Sequence, residues 1–218
     1  MDAPALIIFD CDGVLVDSER ISNGVLARAL TKEGTETTLA EARRDYQGLL
    51  LEDVVLRAQA RAGRTLPDGW LAGYERDRER AFRRELEAVP GAGEAVRAVK
   101  AAGVEVCVAS QGKLEKTRLS LELTGLLDLF EEGALFSAES VPRGKPHPDL
   151  FLHAAASMGV SAADCVVVED TPSGVTAAVA AGMRVHGYAA DGDEAALRAA
   201  GAEILWSLRD LPARLALG

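Results

Sequence analysis

The chain begins with an unbroken apolar run, Leu6-Ile7-Ile8-Phe9, which ends in the charged turn Asp10-Cys11-Asp12-Gly13. Four apolar residues without polar alternation predict a strand buried on both faces, as in a parallel sheet. From Ser18 the period lengthens. Ile21, Val25, Leu26, Ala29 and Leu30 recur at helical spacing, and Gly34 closes the predicted helix. Thr38 with Glu41 signals a capping box for a second helix that ends near Gly48. Leu51, Val54, Val55, Ala58 and Ala62 predict a third, stopped at Gly63. Asp68 is placed to cap a fourth, with Leu71, Tyr74, Phe82, Leu86 and Val89 along one face. Its other face is a mixed charge run over residues 75–84, the pattern of a solvated helix surface.

After Val89-Pro90-Gly91 the rhythm becomes strand alternating with helix. Apolar runs at 104–109, 165–168 and 184–188 predict strands, with weaker ones at 134–137 and 203–205. Helical stretches at 92–102, 114–123, 149–158 and 174–181 lie between them, and a short helix follows the last strand. Such alternation predicts an α/β fold, a Rossmann-like three-layer parallel sheet core wrapped by helices. The all-helical block interrupts it directly after the first strand. The expected organisation is a discontinuous core, residues 1–17 and 88–218, with residues 18–87 as a helical insertion.

Charge narrows the function. Lys and Arg number 24 against 34 Asp and Glu, a net charge of −10. That balance argues against nucleic acid or an anionic membrane as partner, since both demand a clustered positive field. It leaves room for a phosphorylated small molecule, which a metal ion and one or two local cations can hold. Cys11, Cys107 and Cys165 are odd in number, widely spaced and set in apolar surroundings, which reads as free thiols in a reducing compartment. The apolar run before Asp10 is too short for a signal peptide or a membrane span. A cytoplasmic chain is expected, and a monomer fits the pattern.

In sheets of this kind ligands bind beyond the carboxyl ends of the strands. The polar residues at those places are Asp10-Cys11-Asp12-Gly13, Ser110-Gln111-Gly112 and Glu169-Asp170-Thr171-Pro172-Ser173-Gly174. The Pro-rich loop Gly144-Lys145-Pro146-His147-Pro148 joins them. Singly, each has an ordinary structural explanation in turn chemistry or helix capping. Together they place four carboxylates on one sheet edge, which would repel one another without a cation. A hard divalent ion with oxygen ligands, Mg²⁺ above all, answers that repulsion. Lys145 adds a second positive charge, and Ser110 with the turn amides supplies donors to anionic oxygens. This is equipment for phosphoryl chemistry.

Residues 10–19, Asp-Cys-Asp-Gly-Val-Leu-Val-Asp-Ser-Glu, resemble the first motif of the haloacid dehalogenase-like (HAD) hydrolases. Ser110 matches the second motif, Lys145 in Gly-Lys-Pro the third, and Glu169-Asp170 with Gly174 the fourth. The helical insertion resembles the family's C1-type cap, and the nearest subgroup holds β-phosphoglucomutase, phosphoglycolate phosphatase and sugar-phosphate phosphatases. The resemblance implies Asp10 as a nucleophile forming an aspartyl-phosphate, and Asp12 as the general acid and base. It implies Mg²⁺ held by the Asp10 carboxylate, the Asp12 carbonyl and Asp170, with Glu169 in support. Gly13, Ser110, Gln111 and Lys145 would surround the phosphoryl group.

Single residues separate the branches. Haloacid dehalogenases and phosphonoacetaldehyde hydrolases lack the second carboxylate of motif one, which is Asp12 here. The mutase branch carries a histidine shortly after motif one and an arginine in the cap. Ser22 and Leu51 stand at those positions. The reading is therefore a Mg²⁺-dependent phosphatase for a small phosphorylated metabolite, a sugar phosphate or sugar-acid phosphate. A sugar phosphomutase and a non-catalytic phosphate-ligand binder are the alternatives. Substrate choice is expected around residues 46–53, where Gln47, Arg43 or Arg44 could read hydroxyls or a carboxylate. Trp70 and Trp206 are expected as packing aromatics, and His147 as a loop residue.

Overall fold

The computed structural model describes residues 3–46, 49–190 and 193–217. Leu6–Phe9 forms strand β1, every side chain at most 1% exposed. Removing each such side chain from water contributes about 2 kcal/mol. Four helices follow: α1 (Glu19–Lys32), α2 (Leu39–Tyr46), α3 (Leu51–Ala62) and α4 (Trp70–Glu85). Strand and helix then alternate through α5 (Ala92–Ala101), β2 (Glu105–Ser110), α6 (Leu114–Leu123), β3 (Leu135–Ser137) and α7 (Asp149–Ser157). The chain continues as β4 (Cys165–Glu169), α8 (Pro172–Ala180), β5 (Arg184–Tyr188), α9 (Glu194–Ala200), β6 (Glu203–Leu205) and α10 (Leu211–Arg214). The described chain divides into two compact units, Met1–Val16 with Ala88–Gly218, and Asp17–Glu87.

The first unit is an α/β fold around a six-stranded sheet of order β3-β2-β1-β4-β5-β6, parallel throughout. The chain leaves β1 toward β2 and β3 on one side and β4 to β6 on the other. The crevice over β1 is thus the topological switch point, where open α/β sheets bind ligands. Register sets what meets there. Phe9 is opposite Val108 of β2 and Val168 of β4, so the next residues on all three strands emerge side by side.

The helical unit packs α1 against α2 and α4, burying Ile21, Val25, Leu26 and Leu30 with Tyr74, Ala81 and Phe82. The capping box forms as the spacing predicts, with Thr38 N donating to Glu41 Oε2 at 2.8 Å and Glu41 N to Thr38 Oγ1 at 3.2 Å. The charged face of α4 is exposed and laced by ion pairs such as Arg83 with Glu79 at 2.9 Å.

Several expectations need correction. Asp68 does not cap α4, which starts at Trp70 after Gly69 in a left-handed conformation (φ 75°). The helix also stops at Glu85, because Leu86 turns extended, so Leu86 and Val89 continue its apolar spacing without belonging to it. Trp206 is 52% exposed rather than packed, whereas Trp70 stacks on Tyr74. Helix α9 carries no apolar stripe to announce it. Leu197 is its one buried residue, and its start is fixed by Asp193 Oδ1 accepting from Ala196 N at 3.1 Å. All three cysteines are buried free thiols.

Candidate active site

Asp10 continues β1 past its last residue, its N–H donating to Val168 O of β4 at 2.9 Å. This hydrogen bond seats the carboxylate at the mouth of the switch point, only 6% exposed. Burial raises the Asp10 pKa to about 7; Lys145 opposes the rise, while the charges of Glu169 and Asp12 add to it.

Lys145 enters from the loop before α7, 8% exposed. Its ammonium donates to Asp10 Oδ1 at 2.5 Å, Glu169 Oε1 at 2.7 Å and Ala109 O at 3.0 Å. An ammonium has three N–H donors, and these contacts use all of them. Burial works against its charge, but Asp10 and Glu169 outweigh that and its pKa is raised. The Phe151 ring lies 5.0 Å from Nζ. A lysine held this way is a fixed charge rather than a mobile surface group.

Glu169 is the hub of the opposite wall. Oε1 takes Lys145, and Oε2 accepts from Asp170 N at 2.8 Å, Thr171 N at 2.8 Å and Thr171 Oγ1 at 2.9 Å. Thr171, not the acidic pair, caps α8, its Oγ1 accepting from Gly174 N at 3.1 Å. The carboxylate fits only because residue 174 has no side chain. A Cβ there would lie 1.8 Å from Glu169 Oε1.

Gly13 does the same for Asp170. It holds φ 83°, which favours glycine, and a Cβ on it would lie 2.0 Å from Asp170 Oδ2. The Asp170 carboxylate therefore packs directly on the turn carrying Asp10 and Asp12. That turn closes through Leu15 N to Cys11 O at 2.9 Å and Gly13 N to Val16 O at 2.9 Å.

Ser110 ends β2 fully buried, and its Oγ accepts from Gly112 N at 3.1 Å. The side chain of Gln111 is occupied elsewhere: Oε1 accepts from Lys145 N at 3.0 Å and braces the lysine loop. Asp12 pairs with Lys116 of α6. Asp10, Asp12, Gly13, Ser110, Gln111, Glu169 and Asp170 thus lie at the ends of β1, β2 and β4 or just beyond them, and Lys145 joins them from the loop between β3 and α7.

The residues weighed for specificity lie in the helical unit. Arg44 is exposed and bonded to its neighbour Asp45 at 2.7 Å, and Gln47 lies outside the described residues. Sequence reasoning missed Lys116, Thr171 and the bracing role of Gln111. Two of them had a legible signal: Thr171 as a cap residue directly before Pro172, and Lys116 as a cation in the first turn of a helix, where the peptide dipoles disfavour it.

A divalent cation can be tested against these donors. Among the described residues no three carboxylate, imidazole or thiolate side chains form a closed metal cluster. Two carboxylates, Asp10 and Asp170, flank the Asp12–Gly13 turn, whose backbone offers the Asp12 carbonyl. All are hard oxygen donors. A few protein oxygens, with water and phosphate oxygens completing the shell, is the arrangement Mg²⁺ prefers over an all-protein cage. The donor set fits that ion.

Residues 4–182 match the haloacid dehalogenase-like hydrolase family. The chain belongs to that family. It is similar to 6-phosphogluconate phosphatase of Escherichia coli K12, 33% identical over 186 residues that cover 85% of this chain and 82% of the relative. Hexitol phosphatase B of the same organism is 34% identical over 191 residues, 81% of this chain and 80% of the relative. Among solved structures, a HAD family hydrolase of Deinococcus radiodurans R1 with bound phosphate and sodium has a TM-score of 0.81 at 32% identity, covering 99% and 98% of the two chains. This HAD chain is accordingly a phosphoric monoester hydrolase acting on phosphorylated small molecules. Among the described residues no helix is long and apolar enough to cross a membrane.

Proposed function

We propose that this HAD enzyme is a Mg²⁺-dependent phosphatase of a sugar phosphate or sugar-acid phosphate, working through an aspartyl-phosphate on Asp10. The observation that carries the reading is the fixing of Asp10 by Lys145, which Glu169 holds in turn, at the switch point. A nucleophilic carboxylate must approach a phosphate dianion, so its position and the surrounding charge decide the rate. Lys145 holds one Asp10 oxygen and leaves the other for in-line attack on phosphorus. Ser110 Oγ and the Gln111 amide would bind the phosphoryl oxygens as charge develops. Asp12 gives a proton to the departing alkoxide, then takes one from the water that cleaves the acyl phosphate. A Mg²⁺ ion held by Asp10, Asp170 and the Asp12 carbonyl would supply charge neutralisation and polarise the phosphoryl group.

Two relatives, named for a sugar-acid phosphate and a hexitol phosphate, support the sugar class. Specificity would come from the helical unit, acting as a cap of residues 18–87. A panel of phosphorylated metabolites assayed for phosphate release, with Mg²⁺ and with EDTA, tests this. Release confined to polyhydroxy phosphates and abolished by EDTA is expected. Equal release in EDTA, or release from nucleotides alone, overturns it.

A further inference from the structure

Lys116 is the third residue of α6, where the positive end of the helix dipole repels an ammonium. Its side chain nonetheless turns back toward the strand ends and pairs with Asp12 Oδ1, across 104 residues of sequence. The two side chains are only 14% and 21% exposed. Gly112 lies beneath them: a Cβ at that residue would touch Lys116 Cδ at 3.4 Å, Ser110 Oγ at 3.5 Å and Asp12 Oδ2 at 3.8 Å. The loop after β2 is in turn tied down by Ser137 Oγ donating to Gly112 O at 2.8 Å. The pair is therefore seated in a braced loop, unlike two long side chains meeting in solvent.

We infer that Lys116 is a positioning residue that fixes the Asp12 carboxylate for hydrolysis of the phosphoenzyme, an inference that rests on the aspartyl-phosphate reading above. In that half-reaction a water oxygen bonds to phosphorus and the bond from phosphorus to the Asp10 carboxylate oxygen breaks. The water's proton passes to Asp12, and Asp10 returns as a carboxylate with inorganic phosphate released. Water brings no binding contacts of its own to orient it, so the reaction depends on an acceptor already aimed. With Oδ1 tied to Lys116, rotation of the carboxylate is arrested and its other oxygen keeps one direction. Both partners belong to the α/β unit, so the aim is intrinsic to that unit.

The test uses p-nitrophenyl phosphate, whose leaving group departs without a proton donor, so that only the second half-reaction depends on Asp12. In Lys116→Met, stopped-flow should show a burst approaching one p-nitrophenolate per enzyme. A steady rate about tenfold or more below the parent's should follow. kcat and KM should fall together, leaving kcat/KM near the parent's, and Lys116→Arg should recover most of kcat. A merely structural lysine would lower kcat without a burst and leave KM unchanged or raised. That result, or turnover within twofold of the parent, overturns the inference. Asp10→Asn is the control for the underlying reading: if it releases p-nitrophenolate at the parent's rate, the aspartyl-phosphate itself fails, whatever Lys116 does.

Discussion

Lys145 Nζ donates to Asp10 Oδ1 across 2.5 Å, joining residues 135 positions apart in sequence. The loop carrying the lysine is braced by Gln111, and the lysine's second carboxylate is held by the first turn of α8. The pair thus couples three strand-end loops through one buried charge.

Removing that charge should be costly twice over. Lys145→Met leaves Asp10 and Glu169 facing each other in a buried site. A loss of about 3–5 kcal/mol of stability is expected, as for other broken buried pairs. Turnover should fall at least about a hundredfold. Chemical denaturation and steady-state kinetics read the two effects, and a Lys145→Met protein with parental stability would contradict the geometry.

The glycine cradles predict steric lesions. Gly174→Ala drives a methyl into Glu169 and Gly13→Ala drives one into Asp170, the latter also at a positive φ. Each variant should lose about 1–3 kcal/mol of stability, the range for strain and overpacking. Each should also lose most of its activity, because the displaced carboxylate is part of the site. Melting temperatures and phosphate release together check this; an active, unperturbed Gly13→Ala would show that Asp170 is not packed on the turn.

The pH dependence of cation-free protein follows from Asp10. Its pKa is raised from the ordinary carboxylate value to about 7, chiefly by burial. Between those values the folded chain keeps a proton that the unfolded chain has released, so stability falls as pH rises through the window. Asp10→Asn removes this dependence. In EDTA the variant's melting temperature should therefore gain on the parent's from about pH 4.5 to about pH 8. Saturating Mg²⁺ should reverse the trend by binding the parent's carboxylate preferentially. A gap that does not change with pH would refute the burial argument.

Asp170 gives a separate handle on the cation. Asp170→Asn keeps the shape and hydrogen-bonding capacity but removes a charge. It should raise the Mg²⁺ concentration for half-maximal activity by about tenfold or more, as loss of a charged ligand does. Titration of activity with Mg²⁺ checks it, and an unchanged requirement would place the ion elsewhere.

The legible parts of this molecule were those where one residue type has one physical use. Leu6–Phe9 has no polar position and could only be a fully buried strand. The carboxylates after β1 and β4 were visible because they end apolar runs. Parallel register then brings such residues together at the switch point without any further information. Boundaries were lost where apolar spacing outran the helix, as at Leu86, and where a helix had too little buried surface to show a period, as in α9. The supporting contacts were illegible for a different reason. Gln111 and Lys116 act through distances set by the sheet, and nothing in their local sequence names a partner 34 or 104 residues away.

The central claim is that phosphorus is transferred to Asp10. Acid-quenching the enzyme during turnover of a cleaved metabolite, followed by peptide mapping by mass spectrometry, tests it most directly. One added phosphoryl group is expected on the peptide carrying Asp10, lost from Asp10→Asn along with turnover. Continued turnover by Asp10→Asn at the parental rate, or a phosphoryl group found only on another residue, would contradict it.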